Sequence, residues 1–307
     1  MILHAGSRGS ALGTPMANAV RMSWMAGKVN VKFGISVQRI LEYTQIFGIV
    51  RGLSKALEQL IRSRGLVSRK PFRTTSPDGD GVWLRPKSSD LATYREVFVN
   101  GEYDLRKFEI FKAIKERYEG VLAKGNRPLI VDAGANVGLA SVFLARLFPR
   151  ADFILIEASP DNVEIAKLNV SNIPEARLLQ SALWHERGIL NLVASPNYST
   201  YSVTDRNDPN AKFSEVEAVT MNEIVGSRRA DLFIVKMDIE GSEASVFRLN
   251  NAWLDAGPII LVEPHDQEIA GNNSLRGLFE HRNYQTADVI MNGTTMIFVP
   301  QRAGIAN

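Results

Sequence analysis

The chain contains no cysteine. That excludes a disulfide framework, a thiolate nucleophile and a cysteine-ligated metal, and it is compatible with a reducing compartment. Long apolar runs are missing as well, since no stretch reaches the roughly 20 uncharged residues of a membrane-spanning helix. The first 34 residues hold no acidic side chain and no continuous apolar segment of the kind a secretory signal needs. Their scattered Gly, Ser and Met read as disorder, or as an over-long start, because Met16, Met22 and Met25 could each begin a shorter chain. An Arg- and Ser-containing, acid-poor start is also how a transit peptide looks. The expectation taken forward is a cytoplasmic protein.

What is present is a chain of 307 residues, 45% hydrophobic and 22% charged, which can bury a sizeable core. Its charge is divided. Residues 1–73 carry 12 Lys or Arg against 2 Glu, while the remainder carries 24 against 31. Between Ile35 and Arg64, apolar residues recur at three and four with basic residues between them, which predicts one or two amphipathic helices broken near Gly48 or Gly52. A basic helix of this kind can lie on an anionic membrane, but packing on its own domain is the favoured reading. Nucleic-acid binding is not expected, because the basicity shows no aromatic interleaving.

The centre of the chain is Pro128 to Lys167. Leu129 to Val131 reads as a buried strand ending on Asp132, Gly134 and Gly138 bracket Asn136, and from Leu139 the apolar spacing turns helical. A second strand, Phe153 to Ile156, ends on Glu157, with Asp161 placed to cap the next helix. Such a unit forms a nucleoside-binding crevice: glycines let the backbone pass under a ligand, and a carboxylate at the next strand end accepts from both ribose hydroxyls. A dinucleotide fingerprint would need three glycines where only Gly134 is kept, so the NAD reading is weak. The alternative is an ordinary strand–helix–strand unit whose glycines only make a tight turn.

D-x-G-x-N-x-G with the downstream Glu157 resembles the first two motifs of class I S-adenosylmethionine-dependent methyltransferases. The segment from Trp83 to Tyr103, WLRPKSSDLATYREVFVNGEY, followed by VDAGANVG, VKMDIEGSE and LVEPH, narrows this to a resemblance to the FkbM family of methyltransferases, over Trp83 to His265. The resemblance implies an α/β fold. This is a doubly wound, mostly parallel seven-stranded sheet with an antiparallel last strand, preceded by a helical extension. It implies S-adenosylmethionine as cofactor, at Asp132, Gly134, Asn136, Gly138, Glu157, Ser181, Ala182 and Asp238, and a small-molecule or glycan acceptor methylated on oxygen. N-methylation, a lipid headgroup, or a non-catalytic adaptor are the competing readings. It also implies that the Trp83–Tyr103 segment borders the mouth of the site, although Tyr94 and Tyr103 read as core.

Domain boundaries follow: 1–34 disordered, 35–70 a helical extension, 71–124 a platform or lid, and 125–303 the methyltransferase domain. Within the last, Arg177 to Leu183 reads as a third strand paired through a turn with Gly188 to Val193, Pro196 to Lys212 as a polar loop, and Asn292-Gly293 as a hairpin turn. Asp238 and Glu240 close one strand, while Glu263 and His265 close another. Expected on two neighbouring strands, they place His265 to take a hydroxyl proton and Asp238 to orient the acceptor or the cofactor's amino group, with Glu240 and Glu263 in support. Asp238 and Glu240 would make a metal site only with a third ligand, and none is expected.

Overall fold

The structure, a computed structural model, describes residues 70–86, 88–194, 201–204, 213–266 and 273–301, and nine positions between 40 and 57. The expectations for residues 1–34 and for Gly48 lie outside the described residues. The chain separates into two units, Met1–Ile61 and Arg62–Asn307. In the first, Ile40, Leu41, Tyr43 and Thr44 are helical, as are Gly52, Leu53, Lys55, Ala56 and Leu57. Gly52 is itself helical, and a Cβ there would lie 2.4 Å from Thr44 Cα, so the two helical stretches come close together at this glycine. No helix among the described residues is long and apolar enough to cross a membrane.

In the larger unit, β1 (Phe72–Thr75) and β2 (Gly81–Leu84) form an antiparallel hairpin over the Asp78-Gly79 turn, with Gly79 at φ +97°. Helix α1 (Asp90–Tyr94) continues as a π-helical turn, Arg95–Asn100, ended by Gly101 in the left-handed region. After a 3-10 turn, Leu105–Lys107, comes α2 (Phe111–Leu122). Then β3 (Leu129–Ala133), α3 (Leu139–Leu147), β4 (Asp152–Glu157), α4 (Pro160–Asn169) and β5 (Ala176–Gln180) repeat strand and helix. Strands β6 (Ala182–Leu183), β7 (Gly188–Ala194), β8 (Tyr201–Thr204) and β9 (Phe213–Val219) precede α5 (Met221–Val225). The chain closes with β10 (Leu232–Met237), α6 (Glu243–Arg248), β11 (Ile259–Val262), α7 (Arg276–Glu280), β12 (Asp288–Asn292) and β13 (Thr295–Val299).

The main sheet has seven strands in the order β12-β13-β11-β10-β3-β4-β5. Its pairs are parallel from β11 to β5, and β13 runs antiparallel to both neighbours, as expected for the fold class. Strands β3, β10 and β11 are buried at every position, which is why they read as apolar runs interrupted only by Asp132 and Lys236. Their core joins Val131, Ile260 and Phe298 from the sheet to Phe247, Trp253 and Leu278 from the elements that cover it.

Four local readings are corrected. Ser159 caps α4, its hydroxyl accepting from Asn162 N, and Asp161 sits inside the first turn. Strand β6 does not pair with β7, because β9 lies between them in a second sheet, β6-β9-β7-β8. Sequence proximity favoured a hairpin, but the later strand supplies the parallel partner. The polar stretch 196–212 contains β8, bonded along β7, so at least Tyr201–Thr204 is not loop. The last hairpin pairs Asn292 with Thr295, which puts Gly293 and Thr294 in the turn.

The segment before β3 is fastened to the domain at both ends. Arg85 grips Asp90 through Nε and Nη2 and also reaches Asn162 of α4, while Asn169 bonds both backbone groups of Trp83. At the other end, Glu102 Oε1 accepts from the backbone and hydroxyl groups of Thr294 and Thr295 in the β12–β13 hairpin. These bonds tie it to α4 at one end and to the β12–β13 hairpin at the other.

Candidate functional site

Strand β3 runs into the Gly134–Gly138 turn, β4 ends on Glu157, β10 is followed at once by Asp238 and then Glu240, and β11 by Glu263 and then His265. All four are parallel and consecutive in the sheet, in the order β11-β10-β3-β4, so these groups meet along one edge, where open α/β sheets hold their ligands. Two cavities open there. A polar one of about 620 Å³ is lined by Asn136, Lys236, Asp238, Glu240, Glu263 and His265 from the sheet edge. Ser89, Thr93, Glu96, Asn100 and Tyr103 close it from the platform. The narrower one, about 50 Å³, is lined by Gly134, Glu157, Ser181 and Ala182 with Ile156 and Ile239.

Most sequence-predicted residues are therefore brought together, but two are not. Asp132 lines neither cavity: it is fully buried, accepts from Ser141 Oγ at 2.7 Å and faces Lys236 Nζ at 3.3 Å. Gly138, at φ +79°, starts α3 and lets it approach Val170 and Ala166 of α4, so it serves packing. Tyr94 is core, its hydroxyl donating to Thr75 O, whereas Tyr103 is buried and yet forms cavity wall.

Glu157 is 6% exposed. Its carboxylate accepts from Ser159 N at 2.9 Å, Asn136 N at 2.7 Å and Asn162 Nδ2 at 3.2 Å. Burial still raises its pKa despite those donors. Three of roughly four acceptor positions are thus used, so one ribose hydroxyl can be taken without displacing a loop N–H, fewer than the two the sequence suggested. Asn136, at φ +50°, lines the larger cavity, and its buried Oδ1 has no hydrogen-bond partner among the described residues. An acceptor without a donor in that place suits an ammonium group, and the residues present fit a nucleoside that carries an amino-acid tail.

Two residues that organise the site were missed. Lys236 is buried, donates to Gly134 O at 2.7 Å and stands 3.6 Å from Asp238 Oδ2. Burial works against its charge, but Asp132, Tyr103 and Asp238 outweigh it and raise the pKa. A lone Lys inside the apolar run of β10 was the available signal. Glu243, wholly buried, accepts from His265 Nδ1 at 2.9 Å and from the Ile239 and Gly241 amides. In the sequence it looked like an ordinary first-turn carboxylate.

His265 Nε2 then faces Asp238 Oδ1 at 3.8 Å and Glu240 Oε2 at 3.6 Å. Burial lowers its pKa, but the bond to Glu243 and the surrounding carboxylates outweigh it and lift it to about 9. Burial, then Asp238, pushes Glu263 up to about 7, and Glu96 is raised by burial, Glu102 and Asp238. The cavity is an acidic one, poorly suited to a phosphorylated ligand.

Residues 132–286 match the methyltransferase FkbM domain. The chain belongs to the FkbM methyltransferase family. Methyltransferase sdnD of Sordaria araneosa is 26% identical over 150 residues, covering 48% of this chain and 51% of that protein. The chain thus spans about half the length of that relative. Methyltransferase 1 of Beauveria bassiana (strain ARSEF 2860) is 24% identical over 200 residues, 57% of this chain and 73% of that protein. Among solved structures, precorrin-6y C5,15-methyltransferase from Geobacter metallireducens GS-15 aligns with 56% of this chain and 76% of its own at 11% identity, with a TM-score of 0.32. The FkbM match begins at Asp132 and so takes in the turn, Glu157, Asp238 and His265, while the platform that walls the larger cavity precedes it.

Proposed function

We propose that this FkbM protein transfers a methyl group from S-adenosylmethionine to a hydroxyl of a small-molecule or glycan acceptor. The observation that carries the reading is the placement of the Glu157 cavity beside the Asp238–His265 chamber, separated only by the Gly134–Asn136 turn and the end of β10. When bound, the cofactor supplies an electrophilic methyl on a sulfonium. Glu157 would hold the ribose, Ser181 and Ala182 the adenine edge, and Asn136 Oδ1 with Asp238 the amino group. On the chamber side, Asp238 and Glu240 would orient the acceptor hydroxyl and His265 would receive its proton. The carboxylates hold a proton on His265 at neutral pH, so it has first to give that proton up. Positive charge arriving beside Asp238 favours that release.

Two outcomes test this. Glu157→Ala is expected to lose about 1.5–3 kcal/mol of cofactor affinity, roughly 10- to 150-fold, read by calorimetric titration with S-adenosylmethionine. Tight NAD binding with no S-adenosylmethionine binding by the unaltered protein would remove the proposal. His265→Ala is expected to lower kcat about 10²-fold or more with cofactor affinity nearly unchanged, in an assay on an acceptor identified by labelled methyl transfer into cell extract. Near-full turnover would make His265 a structural residue.

A further inference from the structure

Asp238, Glu240 and His265 each offer a ligand atom, and the three lie within 4.8 Å of one another. The carboxylate pair alone would be an ordinary acidic strand end. What sets it apart is the third member. The His265 side chain is nine-tenths buried and fixed through Nδ1 by Glu243, which is itself wholly buried and held by two backbone amides. That leaves Nε2 as the outward nitrogen, and among the described residues it makes no hydrogen bond. The carboxylate oxygens it faces stand at 3.6 and 3.8 Å, beyond the roughly 2.7–2.9 Å of a charge-assisted hydrogen bond. Ligands that share one small divalent ion at about 2.1 Å stand roughly 3.0–3.5 Å apart, and the three ligand atoms here lie within 4.8 Å of one another, so rotation of the Asp238 and Glu240 carboxylates by about 1 Å closes the cluster into a coordination set. A buried carboxylate behind the imidazole is also the arrangement that fixes a metal-ligating histidine in most such sites. Asp238 is divided between two duties: Oδ2 faces Lys236, and Oδ1 faces His265.

We propose that Asp238, Glu240 and His265 bind one divalent first-row cation at the floor of the acidic chamber. This deepens the proposed reading of the chamber as the acceptor side and rests on it, with one change: His265 Nε2 becomes a ligand, so water and not His265 takes the hydroxyl proton. Three protein ligands leave positions open toward the cavity, where the acceptor oxygen and water complete the shell. One imidazole with two carboxylates, and no thiolate in the chain, suits Mn²⁺ better than a thiophilic ion. Coordination lowers the pKa of the acceptor hydroxyl. Its proton leaves to water, the oxygen forms its bond to the methyl carbon, and the carbon–sulfur bond breaks with both electrons remaining on sulfur. The third ligand that Asp238 and Glu240 lacked in sequence is supplied by the neighbouring strand.

The test is titration of the full-length, chelator-treated protein with MnCl₂, following the spectrum of free Mn²⁺ by electron paramagnetic resonance. One ion per chain is expected, with affinity reduced at least tenfold in both Glu240→Gln and His265→Gln. Glu240→Gln should keep the metal-free melting temperature of the parent, whereas His265→Gln takes the cationic partner from wholly buried Glu243 and is expected to melt lower, so its Mn²⁺ affinity is read well below its transition. No retention of Mn²⁺ at millimolar concentration, or retention unchanged in both variants, overturns the proposal. Calorimetry with S-adenosylmethionine in the presence of chelator separates the two readings: cofactor binding without Mn²⁺ retention removes the cation alone, and Mn²⁺ retention without cofactor binding removes the methyl-donor reading alone.

Discussion

Gly134→Ala is expected to destabilise the larger unit by about 3 kcal/mol or more, a fall in melting temperature of roughly 6–12 °C. A Cβ at Gly134 would lie 1.7 Å from the Asp238 carbonyl oxygen, and the residue sits at φ +71°. The obstacle is backbone and cannot swing aside. The ends of β3 and β10 are locked there by Asp238 N donating to Ala133 O, and by Gly134 N and Ala135 N sharing Ile156 O. Relief of the clash therefore has to push the central parallel strands β3 and β10 away from each other, which also draws Asn136 away from Asp238 across the larger cavity. Gly79→Ala is the control. Its φ is +97° but nothing lies within 4 Å of the added methyl, so it carries conformational strain alone, about 1–2 kcal/mol. Equal melting temperatures for the two variants would show that the turn yields more easily than its geometry implies.

Lys236→Met is expected to cost about 3–5 kcal/mol, read by denaturant unfolding, because it strips the counter-charge from a carboxylate with no access to water. Asp132 would keep only Ser141, and Gly134 O would lose its 2.7 Å donor. The companion change Asp132→Asn in the same chain should recover much of that loss, since the buried charge is then gone from both sides. If the double variant is no more stable than Lys236→Met alone, the interaction that matters is the bond to Gly134 O and not the ion pair. Either result bears on the site, because Lys236 also faces Asp238 and forms a stretch of the chamber wall.

Local rules were enough to read the elements that carry the site. A three-residue apolar run ended by Asp132, glycines on either side of Asn136 and a switch to helical spacing fix strand, turn and helix whatever surrounds them. The same holds for Glu157 at the end of β4 and for Asp238 and His265 at the ends of β10 and β11, which adjacency in a parallel sheet then carries to one edge. The partners of those side chains were not legible, because a hydrogen bond between His265 and Glu243 joins residues 22 positions apart through the packing of α6 under β11. Nor was the division between Asp132 and Asp238, two strand-end aspartates of the same appearance: burial against Ser141 and Lys236 makes one structural, and the open end of β10 leaves the other facing the cavity. Which groups stand at the sheet's edge follows from the order of residues alone, since side-chain period and strand ends are local properties of the chain. Which of them are already paired and which still face open space was settled only in three dimensions, because that depends on what the rest of the chain brings against them.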